Sequence, residues 1–309
     1  MDVVRGHAEL AHRAWPGAAV AIGNFDGVHA GHRALIAEAR ALAAAHGVRS
    51  CALTFDPHPS ELLSPNTAPK KLTSLERRLE LMAECGLDAV IVEPFTRDLA
   101  SLAPDAFIDR VVLGALRARA IVVGYDFSYG AGRAGSTDAL RAHGGRAGVE
   151  VSVVAPVEAG GEVCSSTKIR RYLEAGDLPA AERLLARRWD VDGTVVHGAK
   201  RGRAIGVPTA NIDPASDLPL AAGIYAVTLS VEGAPPLPAV ASLGTNPTFV
   251  EGGRLVLEVH VLDWDGDLYD RRVRTTFVAY LRPEQKFATI DALIEQIRRD
   301  IVAARPLLS

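Results

Sequence analysis

Over the first 185 positions, short apolar blocks alternate with stretches of helical spacing. "AAVAIGNF" (18–25), "VRSCALTF" (48–55), "DAVIVEPF" (88–95), "RAIVVGYDF" (119–127) and "EVSVVAP" (150–156) are short and bounded by turn residues, which predicts buried strands. Residues 31–46, 74–85 and 104–117 repeat apolar positions at helical spacing, and Pro104 suits a first helical turn. Strands alternating with helices predict an α/β domain, a parallel sheet covered on both faces. Ligands of such sheets bind beyond the carboxyl ends of the strands. "GNFDG", "TFDPHP" and "GYDFSYG" all fall there.

After "LLARRWDVDG" (184–193) the pattern changes to β-rich segments separated by Gly, Pro and Asp turns. These are "DGTVVHG", "GIYAVTLSVEG", "LPAVASLGTNP", "RLVLEVHVLDWDGDLYD" and "RRVRTTFVAYLRP", and only 288–304 reads as helix. A small antiparallel β-barrel with a C-terminal helix is the expected second domain. The boundary is expected near residue 187, giving domains 1–187 and 188–309.

A length of 309 residues fits two domains. Hydrophobic residues at 48% and charged residues at 23% are ordinary for a globular protein. The net charge of -3 argues against a general nucleic-acid binder, which would carry a strongly basic domain. Cys51, Cys85 and Cys164 stand far apart and read as reduced thiols. The first residues lack the apolar core of a signal peptide, and no stretch reaches the length of a membrane helix. The expected location is the cytoplasm, with no membrane partner.

The candidate chemistry begins in "GNFDGVHAGHRALI" (23–36). A Gly-containing turn from strand to helix gathers free N–H groups at the positive end of a helix, which suits an anion. His29 sits at that entry and His32 in the first turn, each able to donate to a phosphate oxygen. Zinc is the competing reading and needs a third ligand; His58 is available, though no local spacing selects it. In "CSSTKIRRYL" (164–173), Ser165, Ser166 and Thr167 read locally as a helix cap followed by basic residues.

"VVHGAKRGRAIGVPTANI" (195–212) offers Gly198, Gly202 and Gly206 with Lys200, either a phosphate-wrapping loop or a solvated basic turn. Thr209 and Asn211 are neutral oxygen donors of the kind that complete the shell of a magnesium ion already held by phosphates. Alternation along 255–261 sets Leu255, Leu257, Val259 and Val261 on an apolar face, with Glu258 and His260 on the other.

The first block resembles the "GxFDGxHxGH" signature of the nucleotidyltransferase superfamily, whose fold is Rossmann-like. The second resembles that superfamily's "ISSTxIR" segment, with Cys164 in place of isoleucine. "TFDPHPSELLSP" (54–65) and "GYDFSYGAGRAG" (124–135) narrow the resemblance to bacterial bifunctional riboflavin kinase/FAD synthetases. "GTNPTF" (244–249) and "LEVHVLDWDGDLYDRRVRTTFVAYLRPEQKF" (257–287) resemble the riboflavin kinase module.

The resemblance implies phosphorylation of riboflavin to FMN, then adenylylation of FMN to FAD, with ATP as co-substrate and Mg²⁺. It implies His29 and His32 as catalytic phosphate ligands. Gly23, Asn24, Phe25, Ser165, Ser166 and Arg170 become ATP ligands in one domain, and Gly198, Lys200 and Gly202 in the other. Asp126 and Phe127 would lie beside the flavin, Thr209 and Asn211 would hold Mg²⁺, and Glu258 would be the general base.

Two departures stand out: Tyr129 where phenylalanine is frequent, and Asp270 where "LY" is often followed by glycine. A flavin-responsive binding protein without catalysis is disfavoured by the intact candidate residues. A nucleic-acid barrel reading "KRGR" as its contact lacks an aromatic stacking series.

Overall fold

A computed structural model of the chain describes residues 1–198, 206–232, 234–245 and 255–308. They divide into two compact units, Met1–Pro69 with Leu75–Cys164, and Lys70–Ser74 with Ser165–Ser309.

In the first unit, β1 (Asp2–Arg5), β2 (Ala18–Ile22), β3 (Arg49–Asp56), β4 (Ala89–Pro94), β5 (Ala118–Gly124) and β6 (Glu150–Val154) form one parallel sheet. Its order is β1-β4-β3-β2-β5-β6. From β2 the chain works outward through β3 to β4, beside the edge strand β1, and then returns through β5 to β6 at the other edge. That reversal makes the β2/β5 border the topological switch point, where a crevice opens beyond the strand ends.

Both faces of the sheet are covered, so its central strands are apolar throughout. Val20, Ile22, Leu53, Ile91 and Ile121 join one core; Ala21, Ala52, Val90 and Val122 join the other. Helix α1 (Ala30–His46) lies close on the sheet because small residues meet there, Ala43 against Ala19 and Ala120. The remaining helices are α2 (Pro59–Leu63), α3 (Leu75–Glu84), α4 (Arg97–Ala100), α5 (Pro104–Phe107) and α6 (Thr137–Ala147). α5 runs on as a π-helix, Ile108–Ala115, within the segment whose spacing predicts one helix. The short hairpin β7 (Glu158–Ala159) and β8 (Glu162–Val163) completes this unit.

β1 is the one strand of the sheet that the apolar pattern does not announce. It has two apolar residues in four, too few to set a period, and its existence depends on pairing with β4 from Asp2↔Ala89 to Arg5↔Val92.

The second unit opens with α7 (Ser166–Glu174) and α8 (Leu178–Leu185). β9 (Asp190–Val196), β10 (Ala210–Pro214), β11 (Gly223–Val231), β12 (Leu237–Thr245), β13 (Leu255–Val261) and β14 (Arg272–Arg282) then close an antiparallel barrel in the order β10-β13-β12-β11-β14-β9. Tyr225 and Phe277 meet edge to face inside it, ring centroids 5.2 Å apart. The short segment Lys70–Ser74 belongs to this unit: the Trp189 indole donates to the Leu72 carbonyl at 2.9 Å, and Lys70 Nζ donates to the Leu218 carbonyl at 3.1 Å.

The C-terminal helix, Ile290–Ala304, closes on the barrel through Ala304 and Ile301 against Ala226 and Val240. Its buried Asp300 accepts two bonds from Arg282, at 2.9 and 2.7 Å, and one from Gln296 at 2.9 Å. Removing one partner of a buried pair strands the other charge. Asp300→Ala should therefore cost about 3 kcal/mol, read as faster amide hydrogen exchange in the barrel strands. Unchanged exchange would mean that the pair contributes little.

Candidate active sites

The β2–α1 loop leaves the centre of the sheet at its switch point. Gly23 N–H still donates to Leu53 O at 3.1 Å, after which the backbone turns left-handed at Phe25 (φ 52°), Gly27 (φ 85°) and Val28 (φ 42°). Such angles are costly for Phe and Val. The sharp turn sends Phe25 and Val28 into the core, both fully buried, and delivers His29 to the N-cap of α1.

There His29 Nδ1 accepts from the His32 backbone N–H at 3.4 Å, and the two imidazoles stack with centroids 3.7 Å apart, inclined by 19°. Gly31 allows this, since a Cβ there would come within 3.1 Å of the His29 ring. Asn24 has its carbonyl held from below by Thr54 Oγ1 at 3.1 Å and Arg78 at 2.8 Å.

The geometry speaks against zinc. Two rings stacked face to face do not converge their lone pairs on one ion. Both nitrogens of His58 already face protein groups, Nε2 at 3.1 Å from the Asn24 amide and Nδ1 beside the Ser60 hydroxyl. No group of three or more His, Cys, Asp or Glu side chains among the described residues is arranged to hold a metal. His32 Nδ1, by contrast, is buried without a hydrogen-bond partner among the described residues. Burial holds the His32 pKa well below the ordinary value, and the neighbouring His29 and Arg78 lower it further. The ring is therefore a neutral imidazole.

The loop after β5 lies on the other side of the switch point. Asp126 is exposed and Phe127 half-buried, with Phe127 stacked on Tyr129 at 5.5 Å and 16°. Tyr129 is fixed by backbone pairing with Gly135 in both directions, and a Cβ on Gly135 would press within 2.7 Å of its ring. Tyrosine in place of phenylalanine leaves a buried hydroxyl without a partner among the described residues.

In the second unit Ser165 is the N-cap of α7, its Oγ accepting from Lys168 N–H at 3.3 Å, and Ser166 opens the helix. Arg170, one turn on, donates through Nε to the Lys70 carbonyl at 2.6 Å.

On the barrel, "PTAN" crosses into β10, a strand that the Gly-rich sequence conceals. Asn211 faces Val196 on β9 and Glu258 on β13, and Glu258 also faces Ser242 on β12. Leu257, Val259 and Val261 are buried while Glu258 and His260 are half-buried, as alternation predicts; the Leu255 side chain lies outside the described residues. Gly198 lies against the Asn211 amide so closely that a Cβ would collide with it. Lys200 and Gly202 lie outside the described residues.

A cavity of about 460 Å³ opens beside Thr209, lined by Val195, Val259, Leu268, Trp264 and Tyr269 among others. Sequence reasoning misses it, because the loop 262–270 carries its wall and only the fold returns that loop to β10. Asp270 stands in the left-handed region (φ 60°), which glycine adopts freely and aspartate tolerates.

Residues 11–168 match the family described as FAD synthetase, and residues 185–308 match the family described as riboflavin kinase. The bifunctional riboflavin kinase/FMN adenylyltransferase of Pseudomonas fluorescens is 41% identical over 309 residues, covering 99% of this chain and 98% of its own length. The chain belongs to the bifunctional riboflavin kinase/FMN adenylyltransferase family. The Escherichia coli K12 member is 39% identical over 305 residues, covering 99% of this chain and 97% of its own.

A crystal structure described as a macrolide-efflux protein from Streptococcus pneumoniae shares the fold of this riboflavin kinase/FMN adenylyltransferase family member. Its TM-score is 0.85 at 28% identity, with 98% of both chains covered. Among the described residues no helix is long and apolar enough to cross a membrane.

The state of His32 has a consequence for stability. Its folded pKa is depressed, so its burial costs nothing above the ordinary value of about 6.5 and destabilises progressively as pH falls below it. The His32 ring should keep the chemical shifts of a neutral imidazole in an NMR titration through pH 6.5. Titration at the ordinary value would show that the ring is solvated.

Proposed function

We infer that this chain makes FAD from riboflavin in two ATP-dependent steps. Riboflavin is phosphorylated to FMN, and FMN is adenylylated to FAD with release of pyrophosphate. The succession of two family matches along one chain carries this conclusion. Adenylyl transfer is assigned to residues 1–187 and phosphorylation to 188–309. Both reactions use small molecules that a reducing cytoplasm supplies, in keeping with the lack of a disulfide at Cys51, Cys85 and Cys164.

In adenylyl transfer an FMN phosphate oxygen attacks the α-phosphorus of ATP and pyrophosphate leaves. Negative charge accumulates on the phosphate oxygens, and donors fixed in advance stabilise it without reorganising. His29 and His32 are the proposed donors, supported by their stacking at a helix entry and by the unpartnered His32 Nδ1. Gly23, Asn24 and Phe25 shape the loop beneath the nucleotide. Ser165, Ser166 and Arg170 are proposed as further ATP ligands at the first turns of α7, and Asp126 and Phe127 as contacts of the flavin.

In the kinase step the terminal ribityl hydroxyl attacks the γ-phosphorus of ATP. Glu258 takes the hydroxyl proton, and ADP leaves. The cavity beside Thr209 has a size suited to the adenine ring, with Trp264 and Tyr269 as flat apolar walls and Asp265 and Asp267 as polar groups. Gly198, Lys200 and Gly202 are proposed to follow the phosphates. Thr209 and Asn211 fit Mg²⁺ as hard, neutral oxygen donors. They would hold an ion that arrives with ATP, and when bound it supplies charge neutralisation to the phosphates.

His29→Ala and His32→Ala should each lower the rate of FMN adenylylation by about 10²–10³ while riboflavin phosphorylation persists. Unchanged FAD formation from FMN in both variants would return the histidines to a structural role. Glu258→Gln keeps the shape of the side chain and removes the base, which should cost about 10²–10⁴ in phosphorylation. FAD should still form from supplied FMN. Near-normal conversion of riboflavin to FMN would mean that another group takes the proton.

A further inference from the structure

Helix α3 buries two arginines, Arg77 and Arg78, beside Leu81 and Met82, and Arg78 is only 5% exposed. Arg77 pairs with Glu80 and Glu84 of its own helix, both at 3.0 Å. Arg78 reaches instead to backbone at the strand ends. One of its terminal nitrogens donates to Asn24 O at 2.8 Å and lies 3.4 Å from Thr54 Oγ1 and 3.5 Å from Phe55 O. The other lies 3.8 Å from Asp56.

Taking a guanidinium out of water is costly, and an apolar residue often serves stability as well. Here burial lowers the Arg78 pKa, opposed by Asp26, Asp56, Glu61 and Glu76, and its Nε is buried with no hydrogen-bond partner among the described residues. Packing alone does not explain such a residue.

The carbonyl that it holds does. Asn24 O accepts from both Arg78 and Thr54, immediately before the left-handed Phe25 and four residues before the left-handed Val28. Strained backbone persists only where its surroundings over-determine it. We propose that Arg78 is a positioning residue for adenylyl transfer: by pinning the Asn24 carbonyl it holds the β2–α1 loop in the shape that presents His29 and His32. The inference rests on reading that loop as the phosphate site. Burial keeps the His32 pKa low, and His29 and this same guanidinium lower it further.

The test uses the full chain, with riboflavin phosphorylation as the control for folding. Arg78→Met should lower kcat for FMN adenylylation by about 100-fold, the scale of a small misplacement of reacting groups, with KM for ATP little changed. Losing the positive charge raises the His32 pKa, so the acid limb of the adenylylation pH profile should move to higher pH. Arg78→Lys keeps the charge, so its limb should stay in place and part of kcat should return.

If Arg78→Met does not fold, Thr54→Val removes the second donor to the same carbonyl. It should lower adenylylation by about 3–10-fold, the value of one hydrogen bond. Wild-type adenylylation in the folded variants overturns the proposal. So does a fall without the pH shift in Arg78→Met, or an equal fall in phosphorylation, since Arg78 would then be a packing residue. Unimpaired His29→Ala and His32→Ala variants would instead reject the reading of the loop itself.

Discussion

Between Ile22, where β2 ends, and Ala30, where α1 begins, the chain has only residues 23–29 in which to leave a doubly buried strand and start a helix. It cannot do so with ordinary backbone. Phe25, Gly27 and Val28 all turn left-handed, and the cost is met by burying Phe25 and Val28 and by pinning Asn24 O with Thr54 and Arg78. Everything proposed for the first unit follows from that turn. It sets His29 as the N-cap, brings His32 against it, and aims the free N–H groups of α1 at one place beyond the sheet.

The barrel meets its own constraint differently. Closure puts every strand between two neighbours, so a residue's partners are set by register on both sides. Asn211 and Glu258 become neighbours across β10 and β13 because Ile212 and Leu257, beside them, must both point into the core. The Glu258 carboxylate and the Asn211 amide thus share one outer face. The cavity beside Thr209 is walled by Val195, Val259 and Val261 from the strands and by the loop that carries Trp264, Leu268 and Tyr269.

Much of this was legible along the chain. Buried parallel strands announce themselves as apolar blocks, and five of the six in the sheet are visible that way; β13 shows its two faces by strict alternation. The histidines at the helix entry, Ser165 as a cap and Glu258 on the polar face are readable from spacing alone. β1 and β10 are not, since one is too short to carry a period and the other is framed by glycine and proline. Arg78 looks like any charged residue on an amphipathic helix, and nothing local tells it from Arg77.

The sequence by itself determined the two architectures, the order of the chemical motifs and the residue types available at each site. These are local properties, carried by side-chain period, turn residues and capping. Tertiary structure alone decided which of those residues share a site. That His29 and His32 stack ring on ring, and do not splay apart, is one such decision. The partner of Glu258 turned on barrel register, and the role open to Arg78 on a carbonyl 54 positions away in the chain. Such contacts depend on how distant segments are brought together, and no local pattern encodes a distance across the fold.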